Sequence, residues 1–427
     1  MKEQFFALIF PENFFDLLFA SYLSLLGKKV ALSLPEDNSD LTRSILIDPY
    51  LSQLVCTRLG IGERARENPY EPDFQILSPD FRVDIFAQRD KRRFALERDL
   101  KELGEEFFSF LDRLLAQTEP WEEELKTNFP LPRSRFRFIQ ELLQSLSARS
   151  FSFQTLQGFR QENGFSPQID ELALAPLVCF SPYFHQNAPA LSVGLLWKFL
   201  LSSSEQGSEE KETRLEEIIS ASGKIIPQEI IALKTEKKSF ISARPSSGEE
   251  LSARYYFFSP NRAFALLDEE ERERKPARAL ASIFARTTFC QHRYEISPEL
   301  VPEALAPRAV WVQKSEPRAV ILVLKKQKRK AELVVGYFLR KSEPRALSDE
   351  EIAQILQGIF LWLSQEQLEK KAKPGFSHQF LKFSPLQLKS PRLGTSYVNL
   401  FLPASELVPF LGLSGIFRWA EVLAQEE

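Results

Sequence analysis

A strand, a helix and a second strand fit within the first 34 residues, and no glycine occurs before Gly27. Phe5-Phe6-Ala7-Leu8-Ile9-Phe10 is a continuous apolar run, the pattern of a strand buried on both faces of a parallel sheet. Phe14 to Leu26 reads as a helix, with Asn13 as N-cap and Gly27 as its stop. Val30 to Leu34 is a second strand, closed by Pro35-Glu36-Asp37-Asn38. This is a βαβ unit, whose crossover is right-handed. It commits the chain to an open parallel sheet with helices packed on it.

Composition narrows the function classes. The 427 residues suggest two to three domains at about 150 residues each. A net charge of −3 gives no electrostatic footprint for nucleic acid. Cys56, Cys179 and Cys290 lie far apart, which excludes a disulfide scaffold and favours a reducing, cytoplasmic compartment. His185, His292 and His378 are equally scattered, against a multi-histidine metal site. No stretch reaches eighteen clean apolar residues, so no transmembrane segment is expected. The opening residues also lack the long apolar core and cleavage site of a signal peptide. Only 16 glycines occur beside 37 phenylalanines, a composition poor in close backbone approaches to phosphate and rich in core or cavity wall.

The opening resembles FAD-dependent oxidoreductases of the amine oxidase and phytoene desaturase type, which begin GxGxxGLxxAxxLxxxGxxVxxxE. Leu17, Ala20, Leu23, Gly27 and Val30 match that pattern without a gap. The cofactor-touching positions do not. The three fingerprint glycines fall on Pro11, Asn13 and Asp16, and the ribose-binding acid falls on Leu34. The first glycine permits a tight turn, the second admits the pyrophosphate, and the third allows close helix–strand packing. Pro11 removes an N–H, Asn13 adds a side chain where phosphate would lie, and Asp16 adds a charge that repels a dianion. Glu36 and Asp37 lie just past the acid position and reach a ribose only if the strand end is shifted.

Two later blocks follow the same family's order. Glu216 to Asn261 resembles its mid-chain helix, glycine turn at Gly223, hairpin and returning strand, with Arg254 where the family often has Asp. Asn399 to Leu402 resembles the last strand. A loop with Pro409, Gly412 and Gly415 and a helix from Ile416 to Leu423 follow it. The family's Gly-Asp pair, which binds the ribityl or pyrophosphate portion, is replaced by Ala404-Ser405. The resemblance implies an α/β fold: a Rossmann-like FAD/NAD(P)-binding domain with a parallel sheet and a crossing β-meander, plus an α+β substrate-type domain. The nucleotide-binding-like part is expected at 1–100, 211–285 and 386–427. The helical part of the substrate-type domain falls at 101–210 and its sheet at 286–385.

Between these blocks, Phe81 to Phe86 reads as a strand, and Glu97 to Gln117 and Arg135 to Leu146 as amphipathic helices. Strands are expected at 309–312, 319–324 and 331–337. Lys325 to Lys330 forms a charged hairpin tip. A helix over 348–363 opens on a Ser348/Glu351 capping box. No GxSxG elbow, HExxH, Walker loop or calcium loop occurs. Cys179 with His185 reads as buried residues rather than a catalytic pair, and Cys290 with His292, on one side of a strand, lacks the two further ligands a metal would need. Trp197, Trp311, Trp362 and Trp419 read as core or wall.

In flavin oxidoreductases the flavin carries the chemistry. The losses at Pro11, Asn13, Asp16, Leu34, Ala404 and Ser405 therefore point to a degenerate member of the superfamily without classical FAD binding. Such a protein would bind an apolar, isoprenoid- or lipid-like molecule or a protein partner, as Rab GDP dissociation inhibitors use the same fold without redox chemistry. The alternative, favoured by the retained Gly412 and Gly415, is an active FAD-dependent oxidoreductase on an apolar substrate. A different ligand in the vacated cleft is a third reading.

Overall fold

A computed structural model describes residues 4–11, 14–34, 57–60, 72–127, 154–179, 187–201, 209–282, 287–302, 304–312, 320–326, 331–340, 347–360, 369–370, 375–379 and 395–425. The opening βαβ unit forms as its pattern dictates: β1 (Gln4–Ile9), α1 (Phe14–Leu25) and β2 (Val30–Ser33), with Ala7 opposite Val30 in parallel register. Gly27, at φ +77°, ends α1 in the left-handed conformation that glycine adopts without strain. The next two strands, β3 (Phe74–Leu77) and β4 (Arg82–Ile85), form an antiparallel pair. They lie within the 1–100 segment expected to be nucleotide-binding-like, yet β3 pairs with a strand of the second sheet. They are almost wholly buried, Gln75 and Asp84 included, so their short sequences do not say which sheet they join.

A single helix was expected over Glu97 to Gln117. Two occur instead, α2 (Arg89–Leu100) and α3 (Glu102–Thr127), broken at Lys101 with φ +55°. Gly104 lets α3 fold back on α2, since a Cβ there would lie 2.1 Å from the Leu96 carbonyl oxygen. Three more helices complete this layer: α4 (Leu156–Glu162), α5 (Gln168–Leu174) and α6 (Ala190–Leu201). Trp197 on α6 donates its indole N–H to the Ala173 carbonyl at 2.8 Å.

The chain then returns to the parallel sheet through α7 (Glu209–Ser222) and β5 (Lys224–Ile226). Gly223 between them presses so closely on β2 that a Cβ would lie 2.0 Å from the Val30 carbonyl oxygen. This glycine, part of the family-like mid-chain block, is required by backbone packing. β6 (Ile230–Glu236) and β7 (Ser239–Pro245) form a hairpin that turns at Lys237 with φ +56°, not at the Ser246-Ser247-Gly248 turn its sequence suggests. β8 (Ser252–Phe257) follows and lies parallel to β1. Three short helices come next: α8 (Pro260–Ala265), α9 (Glu269–Glu273) and α10 (Lys275–Ala281).

The second sheet is mixed. Its strands are β9 (Thr287–Ile296), β10 (Arg308–Trp311), β11 (Val320–Lys326), β12 (Ala331–Arg340), β13 (Glu369–Lys370) and β14 (Gly375–Gln379). The order is β13-β9-β12-β11-β10-β3-β4, with β14 also on β9. Between β12 and β13, α11 (Asp349–Gln357) carries the anticipated capping box at Ser348 and Glu351. It covers one face of the sheet with Ile352 and Leu356.

The last elements are β15 (Leu400–Phe401) and α12 (Ala404–Gln425). β15 completes a five-stranded, wholly parallel sheet in the order β15-β8-β1-β2-β5. α12 corrects a further expectation. In place of a loop up to Ile416, a helix begins at Ala404 and is broken only at Gly412, at φ +62°. α12 packs on α1 and also on α3 and α6. One continuous hydrophobic core therefore runs from the parallel sheet through the helical layer to the other face of the second sheet, where Phe289, Val310 and Phe338 lie. The helix expected over Arg135 to Leu146, the Lys325–Lys330 tip beyond residue 326, and His185 lie outside the described residues. No described helix is long and apolar enough to cross a membrane.

Candidate functional site

In open parallel sheets, ligands gather outside the carboxyl ends of the strands. Here those ends are Ile9, Ser33, Ile226, Phe257 and Phe401, and Pro11, Asp16, Leu34, Ala404 and Ser405 follow them closely in the chain.

Phe10, the residue after β1, is packed against side chains from a distant part of the chain. Phe10 is 2% exposed and its ring stacks on Phe258 with centroids 6.0 Å apart. The guanidinium of Arg262, on α8, lies 3.5 Å from the Phe10 ring centroid, within cation–π distance. Pro11 is buried beside them and brings no N–H. Phe10, Phe258 and Arg262 were missed at the sequence level. Phe10 read as the end of a strand, and Arg262 is more than 250 positions away in a helix with no motif of its own.

Asp16 is the second feature. It sits in the first turn of α1, 1% exposed, at the third-glycine position of the resembled motif. Its Oδ1 accepts the backbone N–H of Ser405 at 3.0 Å. That N–H belongs to the first turn of α12, where helix amides have no partner within the helix. One carboxylate thus lies against the positive ends of both α1 and α12. Two positions 389 residues apart, each marked in the sequence as a lost cofactor contact, are joined directly to each other.

The remaining positions serve packing. Leu34 is half-buried against the main core, and its N–H donates to the Ile226 carbonyl at 2.9 Å. Ala404 is 1% exposed. Gly412 holds its left-handed conformation close to Leu195, with its missing Cβ 3.3 Å from Leu195 Cδ2. Gly415 is buried within α12. Asn13, Glu36 and Asp37 lie outside the described residues.

A dinucleotide of the kind this fold implies needs free backbone N–H groups and open space at the strand–helix turn. Pro11 offers no N–H, the Phe10 ring is held against Phe258 and Arg262, and the Asp16 carboxylate takes the Ser405 N–H. These residues do not fit a pyrophosphate. Among the described residues no group of three or more His, Cys, Asp or Glu side chains could hold a metal ion.

No family model matches the chain, and no curated protein sequence matches it. Solved structures do. A putrescine oxidase redesigned in its cofactor binding superposes with a TM-score of 0.54 at 13% identity, over 99% of this chain and 98% of that one. The Rab GDP dissociation inhibitor of Plasmodium falciparum gives 0.52 at 10% identity, over 99% and 98%. Cyclohexylamine oxidase of Brevibacterium oxydans gives 0.52 at 13%, over 99% of both chains. The fold is that of the amine oxidases and Rab GDP dissociation inhibitor. A Rossmann-like parallel sheet with a second, mixed-sheet layer is present as the resemblance implied.

Proposed function

We propose that this chain uses the amine oxidase and GDP dissociation inhibitor fold without FAD, as a cytoplasmic binding or assembly protein. One observation carries the reading: the Asp16 carboxylate bound to the Ser405 N–H between α1 and α12. An internal anion there does what an external phosphate would do, satisfying the N-terminus of the last helix. It also repels any second anion. The packing of Phe10 against Phe258 and Arg262 supports the same reading. So does the continuous core between the parallel sheet and the second sheet, which favours a protein partner held on the surface over an apolar molecule enclosed at the strand ends.

The test is an absorbance spectrum of the freshly purified protein, then denaturation and quantification of released flavin. Titration with FAD, followed by flavin fluorescence, completes it. The expected result is a colourless protein with no saturable FAD binding. About one flavin per chain would overturn the proposal and return the chain to the FAD-dependent oxidoreductases, with an apolar electron donor as substrate.

A further inference from the structure

Three of the five large hydrophobic side chains most exposed among the described residues stand at one place in the fold, the β6–β7 hairpin. Ile231 on β6 is 50% exposed and Ile241 on β7 is 44% exposed. Val398 is 73% exposed, and its N–H donates to the Lys238 carbonyl at 2.8 Å, beside the turn of the same hairpin.

The register of the hairpin accounts for the two isoleucines. Ile230 pairs with Pro245 but Ala232 with Arg244, so Ile231 is an extra residue on β6. Lys234 pairs with Ser242 but Thr235 with Phe240, so Ile241 is an extra residue on β7. A β-bulge of this kind adds a residue without a ladder partner and re-aims its side chain. Ile230, Leu233, Phe240 and Ala243 hold the inner face and are buried in the core beneath it. The inserted isoleucines are not part of that core and face water.

Charge and backbone say what meets this face. Lys237, Lys238 and Arg244 are exposed, and no ion pair among the described residues engages them; Glu236 is the one hairpin acid in the same condition. Lys234 is neutralised by Glu250. The hairpin's open charge is therefore net positive, and a second copy would bring these cations against themselves across a two-fold axis. The middle of the ribbon offers no edge for strand addition. The Leu233 N–H donates to the Leu266 carbonyl at 2.9 Å, Ala243 exchanges two 2.8 Å bonds with Leu251, and the Asn399 amide holds both backbone groups of Phe240 at 2.8 Å. What remains is a set of aliphatic side chains beside open cations. That pattern matches a surface which takes isolated apolar groups at its boundary and supplies diffuse negative charge.

We propose that the outer face of the β6–β7 hairpin docks on an anionic lipid surface. Ile231, Ile241 and Val398 enter the headgroup boundary, and Lys237, Lys238 and Arg244 lie at the level of the lipid phosphates. Attachment of this size is shallow and reversible. It uses no residue of the strand ends, so this proposal and the absence of FAD stand or fall independently.

The experiment floats the full chain with vesicles of phosphatidylcholine alone, or with about one-quarter phosphatidylserine. The expected result is binding to the anionic vesicles only, lost in about 0.5 M salt. Ile231→Ser with Ile241→Ser should weaken it about tenfold or more, and so should Lys237→Gln with Lys238→Gln. Circular dichroism checks each variant's fold, and Ile231→Ala with Ile241→Ala replaces the serine pair if that unfolds. No flotation, equal flotation with both vesicles, or wild-type flotation of both double variants would overturn the proposal. Dimers in sedimentation velocity that the isoleucine substitutions abolish, without flotation, would overturn it in favour of a second copy. Saturable binding of fluorescein-labelled poly-glutamate without flotation would overturn it in favour of an acidic protein partner.

Discussion

Replacing Asp16 by alanine removes the carboxylate that joins the first helix to the last. The loss has two parts. A hydrogen bond from an amide to a charged acceptor is worth about 1.5–3 kcal/mol. The interaction of a buried anion with helix N-termini adds up to about 2 kcal/mol. Relief from burying a charge offsets part of this. The expected net cost of Asp16→Ala is about 2–4 kcal/mol. Asp16→Asn keeps an oxygen acceptor of the same shape and loses only the charge, so it should cost about half as much. Urea unfolding read by tryptophan fluorescence measures both. Trp419 on α12 is a reporter at this junction, because its ring lies 4.7 Å from that of Phe19 on α1. If Asp16→Ala unfolds within about 0.5 kcal/mol of the wild type, as an ordinary surface substitution would, the carboxylate is not a tether. An Asp16→Ala protein more stable than the wild type would refute the reasoning outright.

Three further outcomes follow from the packing and the ion pairs. Gly223→Ala places a Cβ against the Val30 carbonyl oxygen and should destabilise the parallel sheet by about 3 kcal/mol, the upper end of overpacking costs; a urea midpoint equal to the wild type's would show that β2 and β5 can part. Gly412→Ala combines a left-handed φ with the Leu195 contact and should cost about 1–2 kcal/mol, measured the same way. Burial pushes the Glu421 carboxyl up, but hydrogen bonds from Arg418 and Tyr22 and the charges of Arg58 and Arg418 together hold it below its usual range. A depressed carboxylate stabilises the fold above its unfolded pKa and ceases to do so as pH falls through the folded one. Glu421→Gln should therefore be less stable than the wild type at pH 7, and the gap should close as pH drops below about 4; a gap independent of pH would exclude the ion pairs as its cause.

Much of the fold was legible because it is written in local patterns. The apolar run of β1, the spacing of Leu17, Ala20 and Leu23, and the stop at Gly27 define a βαβ unit with no help from the rest of the chain. The Ser348 capping box is equally local, since its hydrogen bonds close within a few residues. The sequence also marked Pro11, Asp16 and Ser405 as unsuited to a dinucleotide, because the chemistry of a phosphate contact constrains each position singly.

Their relation to one another was not legible. That Asp16 reaches Ser405 depends on where α12 settles against α1, and no spacing rule links positions 389 residues apart. For the same reason β3 and β4 joined the second sheet against expectation: a four-residue strand buried on both faces does not say which sheet it joins. The break at Lys101 and the start of α12 at Ala404 were settled by the close contact of Gly104 with α2 and the packing of α12 across two layers. Local patterning decides which segments become strands and helices, while burial of one shared core decides which of their ends meet.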